Sequence, residues 1–385
     1  MYKYHCLNPI AAVGLNQFTE KYEAQAEMKN VDAVLVRSAA MHELEFDEDL
    51  KVIARAGAGV NNIPLQKCAE EGIVVFNTPG ANANGVKELV IAGMLLASRD
   101  IVGGISWVKE NEAAEDIAKQ AEKAKKAFAG CELEGKKLGV IGLGAIGVLV
   151  ANAAEKLGME VYGYDPYLSV DGAWNLSRNV KHVTSLDDIY ANCDYISIHV
   201  PLNDSTRHTV NEETIAKMKD GVRILNYARG ELVDSDAIIK ALEEGKVASY
   251  VVDFPDDKVL GVEGVIAIPH LGASTPESEE NCAYMAAKEI VAYLEKGSII
   301  NSVNMPNVKL GAINGARVCV IHKNVPNTIA QISSCFSNAG LNIDQLSNNS
   351  RGDYAYTVVD IADVTDDAVK EIEEIEQVIS VRVIK

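Results

Sequence analysis

Short β-branched runs alternate with helical stretches along most of the chain. Val31–Val36, Lys51–Ala54 and Gly72–Phe76 read as strands, each closed by turn-forming residues, with a helix predicted over Pro64–Glu71. That rhythm is the signature of a parallel sheet with crossover helices. A long helical stretch follows from Gly85 to Arg99, then a polar Ala/Glu/Lys-rich stretch from Lys109 to Ala127. A second alternating series runs from Lys137 to Ile268, and a helix from Ser278 to Lys296. Val303–Gly315 reads as a linker. Beyond it the rhythm changes: strand Ala316–Ile321, helix Asn327–Ala339, strands Asn342–Ser347 and Tyr354–Ile361, helix Thr365–Glu376, strand Val378–Val383. This β-α-β-β-α-β order predicts a small ferredoxin-like module. The expected fold class is therefore α/β: two doubly wound, Rossmann-like domains plus one C-terminal α+β domain.

Composition narrows the partners. The 385 residues suit two or three domains. A net charge of −19 argues against nucleic acid and against anionic lipid, both of which need a basic face. No apolar run approaches the ~18 residues of a membrane span, and Met1–Cys6 lacks the apolar core of a signal peptide. Seven scattered cysteines predict reduced thiols and a cytoplasmic protein, with neither a disulfide framework nor a metal site. Part of the acidity is local: Asp360–Glu376 holds eight acids and one Lys, on a helix whose Ala368, Ile372 and Ile375 face inward.

Lys137–Gly147 is a strand running into G-x-G-x-x-G, with Gly142, Gly144 and Gly147. The first glycine permits the tight turn, the second lets a pyrophosphate approach the backbone, and the third allows helix–strand packing. Ala145 and Ile146 open the helix whose N-terminus would carry the anion. The next strand, Glu160–Asp165, ends in an acid 18 residues after Gly147. Asp165 should bind a ribose 2′-OH and repel a 2′-phosphate, which favours NAD over NADP.

Three more strand ends carry chemistry. Ile224–Asp234 places Arg229 at the carboxyl end of a strand, where open α/β sheets bind ligands. A guanidinium can grip a carboxylate and polarise an adjacent carbonyl. Tyr250–Asp257 ends in acids, and Val265–Ser274 ends in Pro-His270. Arg, acid and His beside an NAD loop point to carbonyl/hydroxyl redox, with His270 taking the hydroxyl proton as hydride leaves. Gly57-Ala-Gly59-Val60 offers backbone N–H groups to a carboxylate, and Arg37 and Arg55 add the cations a phosphorylated substrate needs.

Together the Rossmann motif, Asn226-Tyr-Ala-Arg-Gly230 and Pro269-His-Leu-Gly-Ala-Ser-Thr275 resemble the D-isomer-specific 2-hydroxyacid dehydrogenases. Val36-Arg37-Ser38, Ala54–Asn62 and Asn77–Asn84 are similar to the branch acting on phosphorylated glycerate. The resemblance covers essentially the whole chain. It implies oxidation of 3-phospho-D-glycerate to 3-phosphohydroxypyruvate, the first step of phosphorylated serine biosynthesis. The alternatives are another D-2-hydroxyacid, or an NAD-sensing interaction protein on the same scaffold.

The same resemblance implies Arg229, an acid and His270 as the catalytic set. Asp165, His199, Pro201, Thr206, Ala228, Asp253 and Gly272, with the glycine loop, would hold NAD. Arg37, Arg55, Gly59, Val60 and Asn82 would hold substrate. It implies a substrate domain at 1–92 and 280–306, an NAD domain at 93–279 and a regulatory domain at 315–385, assembled as a homodimer or homotetramer. One departure stands out. The family has Glu in a D-x-F-x-x-E-P context, whereas Asp253-Phe-Pro-Asp-Asp257 is one residue shorter. Asp257 takes the place of that Glu, with Asp256 the other candidate. Lys87 either adds charge near the pocket or faces solvent. Lys125 and Lys126 either reach a neighbouring subunit or form a solvated helix face. Val318–Asn327 and Gly340-Leu-Asn342-Ile resemble an ACT domain, which implies L-serine as effector on His322, Asn324 and Asn342. The alternative there is a purely assembling role.

Overall fold

The apolar runs become strands trimmed by one or two residues at their starts. A computed structural model describes residues 1–385. The chain forms two compact units, Met1–Asn82 with Glu279–Lys385, and Ala83–Ser278.

The first unit is built on a five-stranded parallel sheet of β1 (Tyr2–Cys6), β2 (Tyr22–Ala24), β3 (Ala33–Val36), β4 (Val52–Arg55) and β5 (Val74–Phe76). Its order is β2-β1-β3-β4-β5. The Tyr-Lys-Tyr-His-Cys pattern of β1 is too polar to announce a strand, yet β1 pairs with both β2 and β3. Nearly every residue of β3 to β5 is buried, because successive side chains point to opposite faces and both faces are covered. Val34, Val36, Ile53 and Val75 pack on Met41, Ile63 and Cys68. Ala33, Leu35, Ala54 and Phe76 face Ala286, Ile290, Tyr293 and Leu294 of the helix Pro276–Lys296.

The second unit carries seven parallel strands: β6 (Lys137–Ile141), β7 (Glu160–Tyr164), β8 (Lys181–His182), β9 (Tyr195–Ile198), β10 (Val222–Asn226), β11 (Val247–Val252) and β12 (Val265–Ala267). The order is β12-β11-β10-β9-β6-β7-β8. Strand order reverses at β6/β9, and a crevice at such a reversal is where ligands bind. The helix Ala83–Ser98 belongs to this unit because Val86, Val90 and Met94 pack on Leu138, Val140 and Leu225. The unit therefore begins ten residues before the expected position 93.

The C-terminal segment is β13 (Ala316–Lys323), a helix Thr328–Asn338, β14 (Ile343–Arg351), β15 (Tyr354–Ile361), a helix Asp366–Glu373 and β16 (Val378–Ile384). Its antiparallel sheet has the order β14-β15-β13-β16. One face packs on its own two helices through Val318, Val320, Ile332, Phe336 and Ile372. The other face, through Cys319, Ile321, Tyr356, Val358 and Ile384, joins the core of the first sheet. Residues 315–385, expected as a third domain, thus lie in one compact unit with the substrate-side sheet. No single helix is long and apolar enough to cross a membrane.

Candidate active site

The glycine loop follows β6 at the strand reversal. Gly142 has φ +94°, and a Cβ there would lie 2.7 Å from the His199 carbonyl oxygen. A Cβ on Gly147 would collide with the Gly142 carbonyl. A Cβ on Gly144 would meet nothing within 4 Å. Two glycines are therefore demanded by the fold itself, and the third keeps open a space in front of the loop. Gly144 caps the helix Ala145–Lys156 without a side-chain hydrogen bond, so the N–H groups at its start, from Ala145 and Ile146 onward, are available to an anion. Asp165, just past β7, accepts hydrogen bonds from the Leu143 N–H and the Tyr167 N–H, both at 2.8 Å. The loop thereby aims the carboxylate, whose remaining lone pairs suit ribose hydroxyls.

His199 follows β9. Its Nε2 lies 2.8 Å from Ser197 Oγ and burial pushes its pKa down to about 4, so the ring is neutral. Its Nδ1 is buried without a hydrogen-bond partner, and its carbonyl borders the glycine loop. Thr206 donates to the Pro201 carbonyl at 2.6 Å and accepts from the Asn203 N–H, closing the 201–206 loop.

At the end of β10, the buried Asn226 organises the catalytic turn. Its Nδ2 donates to the Arg229 carbonyl at 2.9 Å and its Oδ1 accepts from the Ala228 N–H at 3.3 Å. Arg229 is exposed, donates to the Ala228 carbonyl, and lies with Cζ 5.3 Å from the centroid of the Phe254 ring. On that same ring rests His270, centroid to centroid 4.2 Å. Phe254 therefore joins the two groups expected to do the chemistry. Sequence reasoning did not single out either Asn226 or Phe254. The available signal was position alone: the last residue of one apolar strand, and the aromatic right after the acid that ends another.

Asp253 directly follows β11 and is 2% exposed. Burial raises its carboxyl to about 7, against its own backbone N–H and Arg229, which pull it down. Its Oδ1 is buried with no hydrogen-bond partner, a strong acceptor without a donor. The nicotinamide carboxamide of NAD carries the N–H needed, so the residues present fit the cofactor expected from the loop. Asp256 is committed elsewhere. It accepts from Ser235 Oγ at 2.5 Å and from the Lys258 and Val259 N–H groups. Partial burial works to raise its pKa, but those donors outweigh it and hold the carboxyl below the usual range. Asp257 is exposed. Gly272 serves packing: a Cβ would press on Val86, while Gly85 approaches the Gly272 carbonyl and Ser278.

In the first unit, Asn8 Oδ1 accepts from the N–H groups of Arg37, Ser38 and Ala39, fixing the turn after β3. Arg37 Nη2 pairs with Glu279 at 2.5 Å. Arg55 donates from Nε to the Arg37 carbonyl at 3.0 Å and from Nη1 to the Gly59 carbonyl. The Gly57 carbonyl accepts from Thr78 N–H, and Asn77 Nδ2 donates to Ala58, so loops 55–60 and 77–82 are tied together. Val60 and Asn82 lie half-buried within those loops. Expected as free cations, both arginines thus make contacts inside this unit. Lys87 turns back to Asn84 Oδ1 at 2.7 Å and lies 3.6 Å from Glu88. Lys125, just past the exposed helix Ile117–Ala124, pairs with Glu122 on that helix.

The expected effector residues fare differently. His322 is 2% exposed, with Nδ1 2.8 Å from the Lys323 carbonyl and Nε2 2.8 Å from Thr357 Oγ1. Neither ring nitrogen is left for a ligand in this chain. Asn324 donates to the Gly352 carbonyl and Asn342 to Asp344, each keeping its carbonyl oxygen for other partners.

Comparisons with known proteins bear on the family. The family model described as "D-isomer specific 2-hydroxyacid dehydrogenase, NAD binding domain" matches residues 91–272. A D-3-phosphoglycerate dehydrogenase of Haemophilus influenzae is 34% identical over 361 residues, 90% of this chain and 84% of that protein. A hydroxypyruvate reductase of Thermotoga maritima is 40% identical, covering 71% of this chain and 89% of its own. Other curated relatives are longer, and the chain spans about half their length. Among solved structures, cofactor (NAD+)-bound 3-phosphoglycerate dehydrogenase of Entamoeba histolytica aligns with TM-score 0.60 and 29% identity, over 79% of this chain and 98% of that one.

Proposed function

The chain belongs to the D-isomer-specific 2-hydroxyacid dehydrogenases, and on that premise we propose that it oxidises 3-phospho-D-glycerate to 3-phosphohydroxypyruvate with NAD. The observation that carries the chemistry is the contact of both Arg229 and His270 with the one Phe254 ring, past the ends of three neighbouring strands. Arg229 grips the substrate carboxylate and draws charge from the reacting carbon–oxygen bond. His270 accepts the hydroxyl proton. NAD, when bound, supplies the hydride acceptor. The glycine loop and the helix start at Ala145 would hold its pyrophosphate, Asp165 its ribose, and Asp253 Oδ1 its carboxamide. Asp257 would orient His270, since Asp256 is spent on Ser235 and the following turn.

A second reading has specific support. Arg37 is neutralised by Glu279 and Arg55 is engaged with carbonyls, which suits an unphosphorylated D-glycerate as well. NADH formation with 3-phosphoglycerate, D-glycerate and D-lactate decides between them. Preference for phosphoglycerate is the expected outcome; equal use of glycerate would remove the phosphate-binding role of Arg37 and Arg55. NAD binding with no turnover of any of the three would favour the interaction-protein reading.

The C-terminal segment is read as an ACT module for a small amino acid, L-serine the first choice, through Asn324 and Asn342 rather than His322. Flat activity across a serine titration would dismiss that effector. Assembly is read from the helix Ile101–Glu110, which buries no residue and exposes Ile101, Val102, Ile105 and Val108. An apolar face of that kind marks an interaction site, and a second copy of the chain is the proposed occupant.

A further inference from the structure

The C-terminal sheet reaches the segment beside the substrate-side loop through the exposed Arg351, with Asn349 on the Asn307 carbonyl as a second contact of the same strand. Segment 299–308 lies along the edge strand β5: Val303 N–H donates to the Val75 carbonyl, Val75 N–H to Asn304 Oδ1, and Phe76 and Ser302 form an antiparallel bridge. Next to it, the Asn301 carbonyl accepts from the Asn77 N–H at 3.4 Å, and Asn77 begins the loop tied to Ala58. Asn301 adopts φ +62°, an uncommon conformation that its side chain supports by donating to the buried Glu289 at 2.7 Å. From the other side, Arg351 at the end of β14 donates from Nη1 to the Ser302 carbonyl at 2.6 Å. The hairpin after Arg351 is itself pinned by Asn324, whose N–H donates to the Asp353 carbonyl and whose Nδ2 donates to that of Gly352.

We propose that Arg351 is a positioning residue for substrate binding: by clamping the Ser302 carbonyl it fixes Asn301, and through Asn301 the Asn77–Asn82 loop. The C-terminal segment thereby completes the substrate side, and the loop bearing Asn324 sits at the far end of the same route. This inference rests on the assignment of Asn82 and its loop to substrate.

Arg351 is exposed, so its replacement leaves the core intact. Two readouts apply to the 385-residue chain. In Arg351→Ala, the KM for 3-phosphoglycerate should rise about tenfold, the scale of one charge-assisted hydrogen bond. The KM for NAD and kcat should stay within about twofold. Arg351→Lys, which keeps a cationic donor, should recover most of the loss. Amide exchange in a peptide spanning residues 77–82 should quicken in the Ala variant and return toward wild type in the Lys variant. An unchanged KM with unchanged exchange overturns the proposal, as does a parallel loss in both KM values and melting temperature. If the wild type does not oxidise phosphoglycerate, the proposed function fails while the exchange measurement still decides this inference.

Discussion

Burial pushes the Asp253 carboxyl up to about 7, against an Arg229 that pulls the other way. An acid raised in this way holds its proton more tightly folded than unfolded. Its contribution to stability is full below the ordinary carboxylate range and is lost as pH rises through about 7. Asp253→Asn cannot ionise, so melting of the cofactor-free variant should decline less than wild type between about pH 5 and about pH 8. NAD affinity should fall above about pH 7, where the wild-type acceptor is anionic and the amide is neutral. Identical pH slopes would show that Asp253 does not titrate there. For Asp257, the Asn variant should lower turnover by about 10- to 100-fold and move the pH–rate limb of His270. An unmoved limb would mean that Asp257 does not orient that ring. Both acids were visible as candidates in the primary structure. Only the fold shows that Asp256 is bonded by the Ser235 hydroxyl, which comes from a different element.

At the element scale, the glycine loop separates two requirements that a motif lumps together. Gly147→Ala forces a Cβ into the Gly142 carbonyl, a backbone atom that cannot swing away. Melting of the cofactor-free protein should drop by several degrees, a few kcal/mol of strain. Gly144→Ala meets nothing. Its melting temperature should match wild type while the Kd for NAD rises about tenfold or more, because the Cβ enters the space left for the pyrophosphate. Equal NAD affinity in Gly144→Ala would place the pyrophosphate elsewhere. The strands and crossover helices were legible because period-2 and period-3.6 apolar patterns are local. β1 was not, because its stability comes from pairing with β2 and β3, and its own residues are half polar.

Across the whole chain, the first unit owes part of its core to its last seventy residues. Arg382 stacks on Tyr293 at 4.1 Å and donates to the Tyr293 carbonyl at 2.9 Å, while Arg317 donates to that of Lys296 and grips Asp360 through two bonds. Tyr356 Oη donates to the Gly297 carbonyl. These donors satisfy the carbonyls at the end of the helix Pro276–Lys296, where the dipole is negative and cations stabilise. A chain ending after residue 314 would lose them along with Cys319, Ile321, Tyr356, Val358 and Ile384 from the shared core. Its first unit should melt at least about 10 °C lower, or fail to fold cooperatively. Melting like the intact protein would show that the sheet is only an appendage.

The primary structure by itself determined the sheet types, the NAD loop, the acid that follows it, and the strand ends bearing Arg229, Asp253 and His270. Each of these is written in local spacing, because a turn or a strand end needs only its neighbours. Tertiary structure alone decided that Glu279 faces Arg37 across 242 residues, that Phe254 bridges Arg229 and His270, and that His322 is consumed inside its sheet. It also decided that the C-terminal segment shares a core with the substrate side. Those pairings join distant parts of the chain, so no local period or motif records them, and only the packing of one sheet on another reveals them.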